Sequence, residues 1–199
     1  LAELIRIDAE TSSKNAAVLS PADKISRFMS LFACRTDVYP RLWENQKKGT
    51  IGYSPVCGNE WKPGVCNKPK IKGHECRNRA FVPFTGDAAK AHLEGRIVAG
   101  MYAIRQDDTC CFLAADFDGE GWRDDVVSYS KAAESIGVSA AIEISRSWNG
   151  AHAWIFFSEP VAAADARRLG FIILSMAQKN RGVLETGSYD RFFPNQDVL

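Results

Sequence analysis

The sequence predicts an α+β protein whose sheet is rich in antiparallel pairs and carries its helices on one face. Three observations lead there. From about residue 96 the chain runs strand, strand, helix, strand, strand, helix, in the general manner of split βαβ folds. The strand-like runs come in two pairs, each around a short polar turn, which reads as two hairpins. Before residue 96 the pattern is different, with helical periodicity followed by an irregular stretch rich in Gly, Pro, Lys and Cys.

Each element has its own signal. Residues 1–10 (LAELIRIDAE) show helical periodicity. Ser20-Pro21-Ala22-Asp23 starts a second helix, with Ser as cap, Pro in the first turn and Asp near the positive end of the dipole. Its apolar face is Ile25, Phe28, Met29 and Phe32. Residues 45–80 read as an irregular insert. IVAGMYAI (97–104) and TCCFLAADFD (109–118) form the first hairpin, around Arg-Gln-Asp-Asp. Residues 122–136 read as an amphipathic helix. SAAIEISRS (139–147) and AHAWIFFSE (151–159) form the second hairpin, around Trp-Asn-Gly. Residues 162–180 form the last helix, with Leu169, Ile172, Ile173 and Met176 on one face. This divides the chain into a helical or α/β unit, 1–85, carrying a Cys-rich insert at about 50–80, and a sheet-based unit, 86–199. No internal repeat or low-complexity tract is present.

Composition excludes several classes. The 199 residues are 46% hydrophobic and 25% charged, an ordinary globular mixture. No apolar run is long enough to span a bilayer, so no membrane partner is expected. No signal peptide is visible, and a start at Leu1 reads as a piece excised from something longer. The six cysteines do not resemble a secreted framework, and adjacent Cys110 and Cys111 sit in an apolar strand as core residues. A reducing compartment follows, hence a cytoplasmic location. Net charge is +1, but residues 41–79 carry +6 and the rest −5. Such a basic segment is either a solvated loop or a surface for phosphate-bearing partners.

The strand FLAADFD (112–118) ends an apolar run on two like charges. Residues i and i+2 of a strand share a face, so Asp116 and Asp118 present two carboxylates together and Phe117 turns the other way. Carboxylates this close repel unless a proton or cation lies between them, and Mg²⁺ or Mn²⁺ suits an oxygen-only site. The alternative is a plain turn at Asp118-Gly119 with Asp116 on the surface. In SRSWNGAHAWIFF (145–157), His152 starts a strand after a Gly-containing turn, where an imidazole can meet a phosphate oxygen. Ser147, Asn149 and the backbone near Gly150 can add hydrogen bonds, although a lone His is more often structural. In SYDRFFPNQD (188–197), Asp190 is a candidate third carboxylate, and Arg191 and Gln196 are candidates to touch phosphate or base; read alone, the segment is a polar loop. Cys57, Cys66, His74 and Cys76 have the spacing C-x₈-C-x₇-H-x-C. Three thiolates and an imidazole suit a closed, structural Zn²⁺ site, against the alternative of a reduced, metal-free loop.

Taken together, these pieces resemble the archaeo-eukaryotic primase superfamily. Its pattern is a strand ending in Asp-x-Asp, a small-x-His segment entering the next hairpin, and a later Asp. Here the matching residues are Asp116 and Asp118, Gly150-Ala151-His152, and Asp190. The closer likeness is to primase-polymerase domains of TOTE-type conflict systems and of CRISPR-associated primase-polymerases. It rests on LFACRTDVYPRLWEN (31–45), CGNEWKPGVC (57–66), AADFDG (114–119), SRSWNGAHAWIFF and YDRFFPNQD, and covers roughly residues 25–199. The resemblance implies an RRM-like catalytic sheet beside a smaller α/β unit carrying a zinc-binding insert. It implies template-directed nucleotidyl transfer from nucleoside triphosphates onto a primer on single-stranded DNA, with fused or associated helicase, nuclease or CRISPR proteins as partners. Asp116, Asp118 and Asp190 would hold two divalent ions, and His152 would contact the triphosphate with Ser147. Arg146 and Gln196 are further nucleotide-binding candidates. Two departures stand out: Cys34 replaces a usual Gly, and the chain ends at NQDVL where the family continues with a Gly-rich apolar strand. A nucleic-acid-binding module without chemistry and a divalent-metal nuclease are the competing readings.

Overall fold

The computed structural model describes residues 19–32, 34–182 and 187–199, and the helix expected over residues 1–10 lies outside them. The described residues form two compact units, Leu19–Tyr102 and Ala103–Leu199. Among them, no helix is long and apolar enough to cross a membrane.

The first unit opens with α1 (Pro21–Leu31), whose cap is Ser20, with the Asp23 N–H donating to its hydroxyl at 3.2 Å. Ile25, Phe28 and Met29 of α1 pack against a small core of Tyr39, Phe84 and Ala89. Strands β1 (Pro40–Asn45) and β2 (Thr50–Pro55) pair as an antiparallel hairpin. The second strand lies inside the segment expected to be irregular. Its alternation amounts to Ile51 and Tyr53, separated by Gly52, too short a pattern to register as a strand. Helix α2 (Gly86–Leu93) follows, capped by Thr85.

Residues 97–104 do not form a hairpin with 109–118. The segment runs beside β1 instead: the Leu42 N–H donates to Val98 O at 2.9 Å and the Gly100 N–H to Pro40 O at 2.8 Å. Ile97, Ala99 and Met101 pack on the first core. Alternation in IVAGMYAI reports a half-buried extended segment; it carries no information about which strand it lies beside. The two units therefore part after Tyr102 rather than near residue 85, because α2 and residues 97–101 bury their apolar side chains with the first core.

The second unit is one antiparallel sheet backed by two helices. Its elements are β3 (Thr109–Asp118), α3 (Trp122–Ser135), β4 (Ala141–Ile144), β5 (Gly150–Ala162), α4 (Ala163–Arg181) and β6 (Tyr189–Phe193). The sheet order is β4-β5-β3-β6, with every neighbouring pair antiparallel. The sequence is thus β-α-β-β-α-β: the expected first strand belongs to the other unit, and the expected polar loop at 188–197 supplies the last strand. On α4 the buried residues are Ala163, Ala166, Gly170, Ile173, Leu174 and Ala177, while Ile172 is exposed. Ile173 of the expected face is in the core with Leu169 and Met176 packed against it, and the small residues Ala166, Gly170 and Ala177 allow close approach to the sheet.

β3 is central. Leu113, Ala115 and Phe117 join the core under the helices, and Asp116 and Asp118 face away from it. A one-residue slip would exchange these sets. It would expose the fully buried Phe117 ring at a cost of about 2–3 kcal/mol and drive two carboxylates into the core at greater cost. Hydrophobic burial therefore holds the acidic pair on the open face.

Candidate active site

Three carboxylates meet on that open face. One oxygen each from Asp116, Asp118 and Asp190 lie within 4.8 Å of one another. Asp116 and Asp118 arrive there by strand alternation alone. Asp190 needs more. Asp116 pairs with Arg191 and Phe117 with Tyr189, so Asp190 is an extra residue on β6, a β-bulge. Tyr189 and Phe192 both pack into the core while Asp190 and Arg191 both face out. Strict alternation cannot do that; the bulge re-aims Asp190 toward its partners.

A row of charges crosses all four strands beside the triad. Glu143 pairs with His152, His152 with Asp116, and Asp116 with Arg191. His152 Nε2 stands 3.4 Å from Asp116 Oδ1 and its Nδ1 3.5 Å from Glu143 Oε2. At 3.5 Å the second contact is a charge interaction rather than a hydrogen bond, and Nδ1 has no hydrogen-bond partner among the described residues. Glu143 is steadied by the Trp154 indole, whose Nε1–H donates to it at 2.7 Å. Arg191 Nε donates to Asp190 at 2.6 Å.

The charges bias one another. Burial raises the Asp116 pKa, and Asp118 and Asp190 raise it further, against His152 and Arg191. The Glu143 carboxylate raises the His152 pKa, with Asp116 assisting against burial. Glu143 is lowered in turn, chiefly by His152. Without a cation, Asp116 holds its proton more tightly than free aspartate. A divalent cation bound by oxygen removes the repulsion that causes this, so the donor set fits Mg²⁺ or Mn²⁺.

Gly150 is a steric requirement of the site. It pairs with Asp118 across β3 and β5. A Cβ at this position would overlap Asp118 Oδ1 and come within 2.6 Å of Phe117 O. Gly150→Ala is expected to displace the Asp118 carboxylate and weaken Mn²⁺ binding by at least roughly ten-fold, a loss of about 1.4 kcal/mol. Calorimetric titration with Mn²⁺ on protein of unchanged circular dichroism checks this; unaltered affinity would mean that Asp118 moves aside freely.

The β4–β5 turn holds the other nucleotide-binding candidates. The Gly119 N–H donates to Asn149 O at 3.2 Å, fixing this turn beside the end of β3. The Ser147 hydroxyl lies 3.0 Å from that of Ser145 and accepts from the Asn149 N–H. Arg146 is exposed on the same turn. Gln196 donates its amide locally, to Val198 O at 2.6 Å, and no contact among the described residues joins it to the triad.

Several residues of the site escaped sequence reasoning. Glu143 carries no motif and is recognisable only by its register opposite His152. Trp148, between Ser147 and Asn149, is exposed and adopts φ 60°, a conformation uncommon for a bulky residue. Asp125 lies behind the sheet and is 4% exposed. Its carboxylate accepts from the Ser188 hydroxyl at 2.6 Å and the Ser188 N–H at 3.3 Å, and pairs with Arg181. The Ser188 carbonyl in turn accepts from the Asp118 N–H at 2.7 Å. In the sequence Asp125 looks like an acid complementing a helix N-terminus; its role as an anchor for the start of β6 depends on residues far along the chain.

Cys57, Cys66 and Cys76 line one cavity of about 330 Å³ in the first unit. No disulfide joins any of the six cysteines. Among the described residues, the acidic triad is the one group of three or more potential ligands whose donor atoms gather within 4.8 Å. The three thiols do not meet that distance, and the side chain of His74 lies outside the described residues.

Comparison with known proteins adds the following. The family model for the TOTE conflict system archaeo-eukaryotic primase domain matches residues 23–199. No curated protein matches the chain. Among solved structures, the polymerase domain from Mycobacterium tuberculosis ligase D in complex with DNA aligns with a TM-score of 0.49 and 12% identity. That alignment covers 81% of this chain and 62% of the other, so the chain spans less than two thirds of that domain's length.

Proposed function

Because the chain belongs to the archaeo-eukaryotic primase domain family of TOTE conflict systems, we propose that it is a primase-polymerase: a nucleotidyltransferase that adds nucleotides from nucleoside triphosphates to the 3′-hydroxyl of a primer on a single-stranded DNA template. The observation that carries this reading is the gathering of Asp116, Asp118 and Asp190 within 4.8 Å on the open face of the sheet, with His152 beside them. Attack of a hydroxyl on an α-phosphate needs in-line positioning and neutralised charge, and no protein nucleophile. Bound Mg²⁺ or Mn²⁺ supplies Lewis acidity and charge neutralisation in such a reaction.

The chain's own residues do the rest. The three aspartates would hold the ions. His152, whose pKa the Glu143 carboxylate raises, would offer its ring to the triphosphate oxygens. Ser147 and Asn149, fixed beside the end of β3 by the Asn149–Gly119 bond, would donate hydrogen bonds to phosphate. Arg146 and Gln196 are the remaining candidates for phosphate or base. Zinc plays no part in the proposed chemistry.

Primer extension tests the proposal. Purified protein, a primed single-stranded DNA template, Mg²⁺ or Mn²⁺, and either deoxynucleoside or ribonucleoside triphosphates are expected to give longer products that follow the template. Shortening of the template without triphosphates would instead identify a metal nuclease. DNA binding with neither extension nor cleavage would identify a binding module.

A further inference from the structure

The first unit carries a groove for which the acidic site gives no reason. Its floor is one face of the β1–β2 hairpin. Arg41, Trp43 and Asn45 share that face with Ser54, Gly52 and Thr50 opposite them. These small partners leave space, and the Trp43 indole lies over Gly52, where a Cβ would come within 2.9 Å of the ring. Trp61 also lines the groove, from the loop that follows β2. It is 65% exposed and adopts φ 62°, a conformation that bulky residues rarely keep outside functional sites. Trp43 is 44% exposed. Arg41, Lys47 and Lys68 line an open groove of about 890 Å³ together with Glu44 and Glu60. Lys68 is partly neutralised by Glu60, 2.7 Å away, but the segment 41–79 as a whole carries +6.

Two accessible indoles beside Arg and Lys side chains define a ligand chemistry. The partner must bring flat apolar faces and negative charge in alternation. A duplex hides the faces of its bases, and a simple anion has none. A single strand offers both, with bases to stack on indole and phosphates to meet Lys and Arg.

We propose that this groove binds single-stranded DNA, with bases stacked on Trp43 and Trp61 and the backbone held by Arg41, Lys47 and Lys68. The choice of DNA over RNA rests on the polymerase reading above; the stacking and charge arguments do not.

The test is fluorescence anisotropy of a labelled dT 20-mer with the full chain and with Trp43→Ala, Trp61→Ala and the double variant, each of wild-type circular dichroism. Each single substitution is expected to weaken binding roughly ten-fold, and Trp43→Phe or Trp61→Phe to restore most of it. Arg41→Ala with Lys47→Ala should flatten the salt dependence, with the slope of log affinity against log salt falling by roughly 1.4. Wild-type affinity in the double Trp variant would overturn the groove even if primers are extended. Tryptophan-dependent binding without any primer extension would uphold the groove and remove the polymerase reading. Tighter binding of the matching rU 20-mer, or equal binding of duplex DNA, would overturn the assignment to single-stranded DNA.

Discussion

Asp116→Ala and Asp118→Ala are each expected to lower nucleotide incorporation by at least roughly a thousand-fold, because charge neutralisation at such a centre supplies several kcal/mol and each 1.4 kcal/mol is ten-fold in rate. The fold should survive. Both side chains lie on the open face, and their removal relieves repulsion within the triad instead of opening the core. Single-turnover extension with saturating Mn²⁺ measures the effect, and retained incorporation in both variants would remove the triad from the chemistry. A pH signature accompanies it. Burial and the neighbouring acids raise the Asp116 pKa, so its protonated form persists to higher pH than in free aspartate. Cation binding requires the ionised form. Mn²⁺ affinity should therefore fall on acidification, and the fall should begin above the ordinary aspartate range. In Asp116→Asn protein, that part of the pH dependence should disappear.

Asp125→Ala is expected to destabilise the second unit strongly. It leaves the Ser188 hydroxyl and N–H without their buried acceptor and Arg181 without its partner. Breaking a buried pair from one side costs about 3–5 kcal/mol, and the lower end applies because Arg181 is 34% exposed. For a unit of this size the melting temperature should drop by roughly 12–24 °C. Catalysis should suffer as well, because Ser188 leads into the bulge that aims Asp190. Asp125→Asn, which retains an oxygen for Ser188, should lose less stability. Thermal melts of both variants decide the matter, and an unchanged melt for Asp125→Ala would show that the anchor is dispensable.

Part of this was written in local pattern. The Ser20 cap, the helices from 122 and 163, and the shared face of Asp116 and Asp118 follow from rules that act over a few residues: capping, the 3.6-residue period and strand alternation. The position of β3 at the centre of the sheet follows from its nearly continuous apolar run. Asp190 was legible as a candidate third carboxylate but not its strand, because SYDRFFPNQD has no alternation that separates an edge strand from a loop.

By itself, the sequence determined which side chains are driven from water, and hence that two carboxylates stand together on an open face. Tertiary structure alone decided that residues 98–100 lie beside β1, that a bulge turns Asp190 toward Asp116, that Glu143 faces His152, and that Asp125 anchors Ser188. The physical reason is the range of the forces that encode each feature. Burial leaves a periodic mark on neighbouring residues, whereas strand partners, bulges and buried polar bonds are selected by hydrogen bonding between segments far apart in the chain, and such pairings leave no periodicity to read.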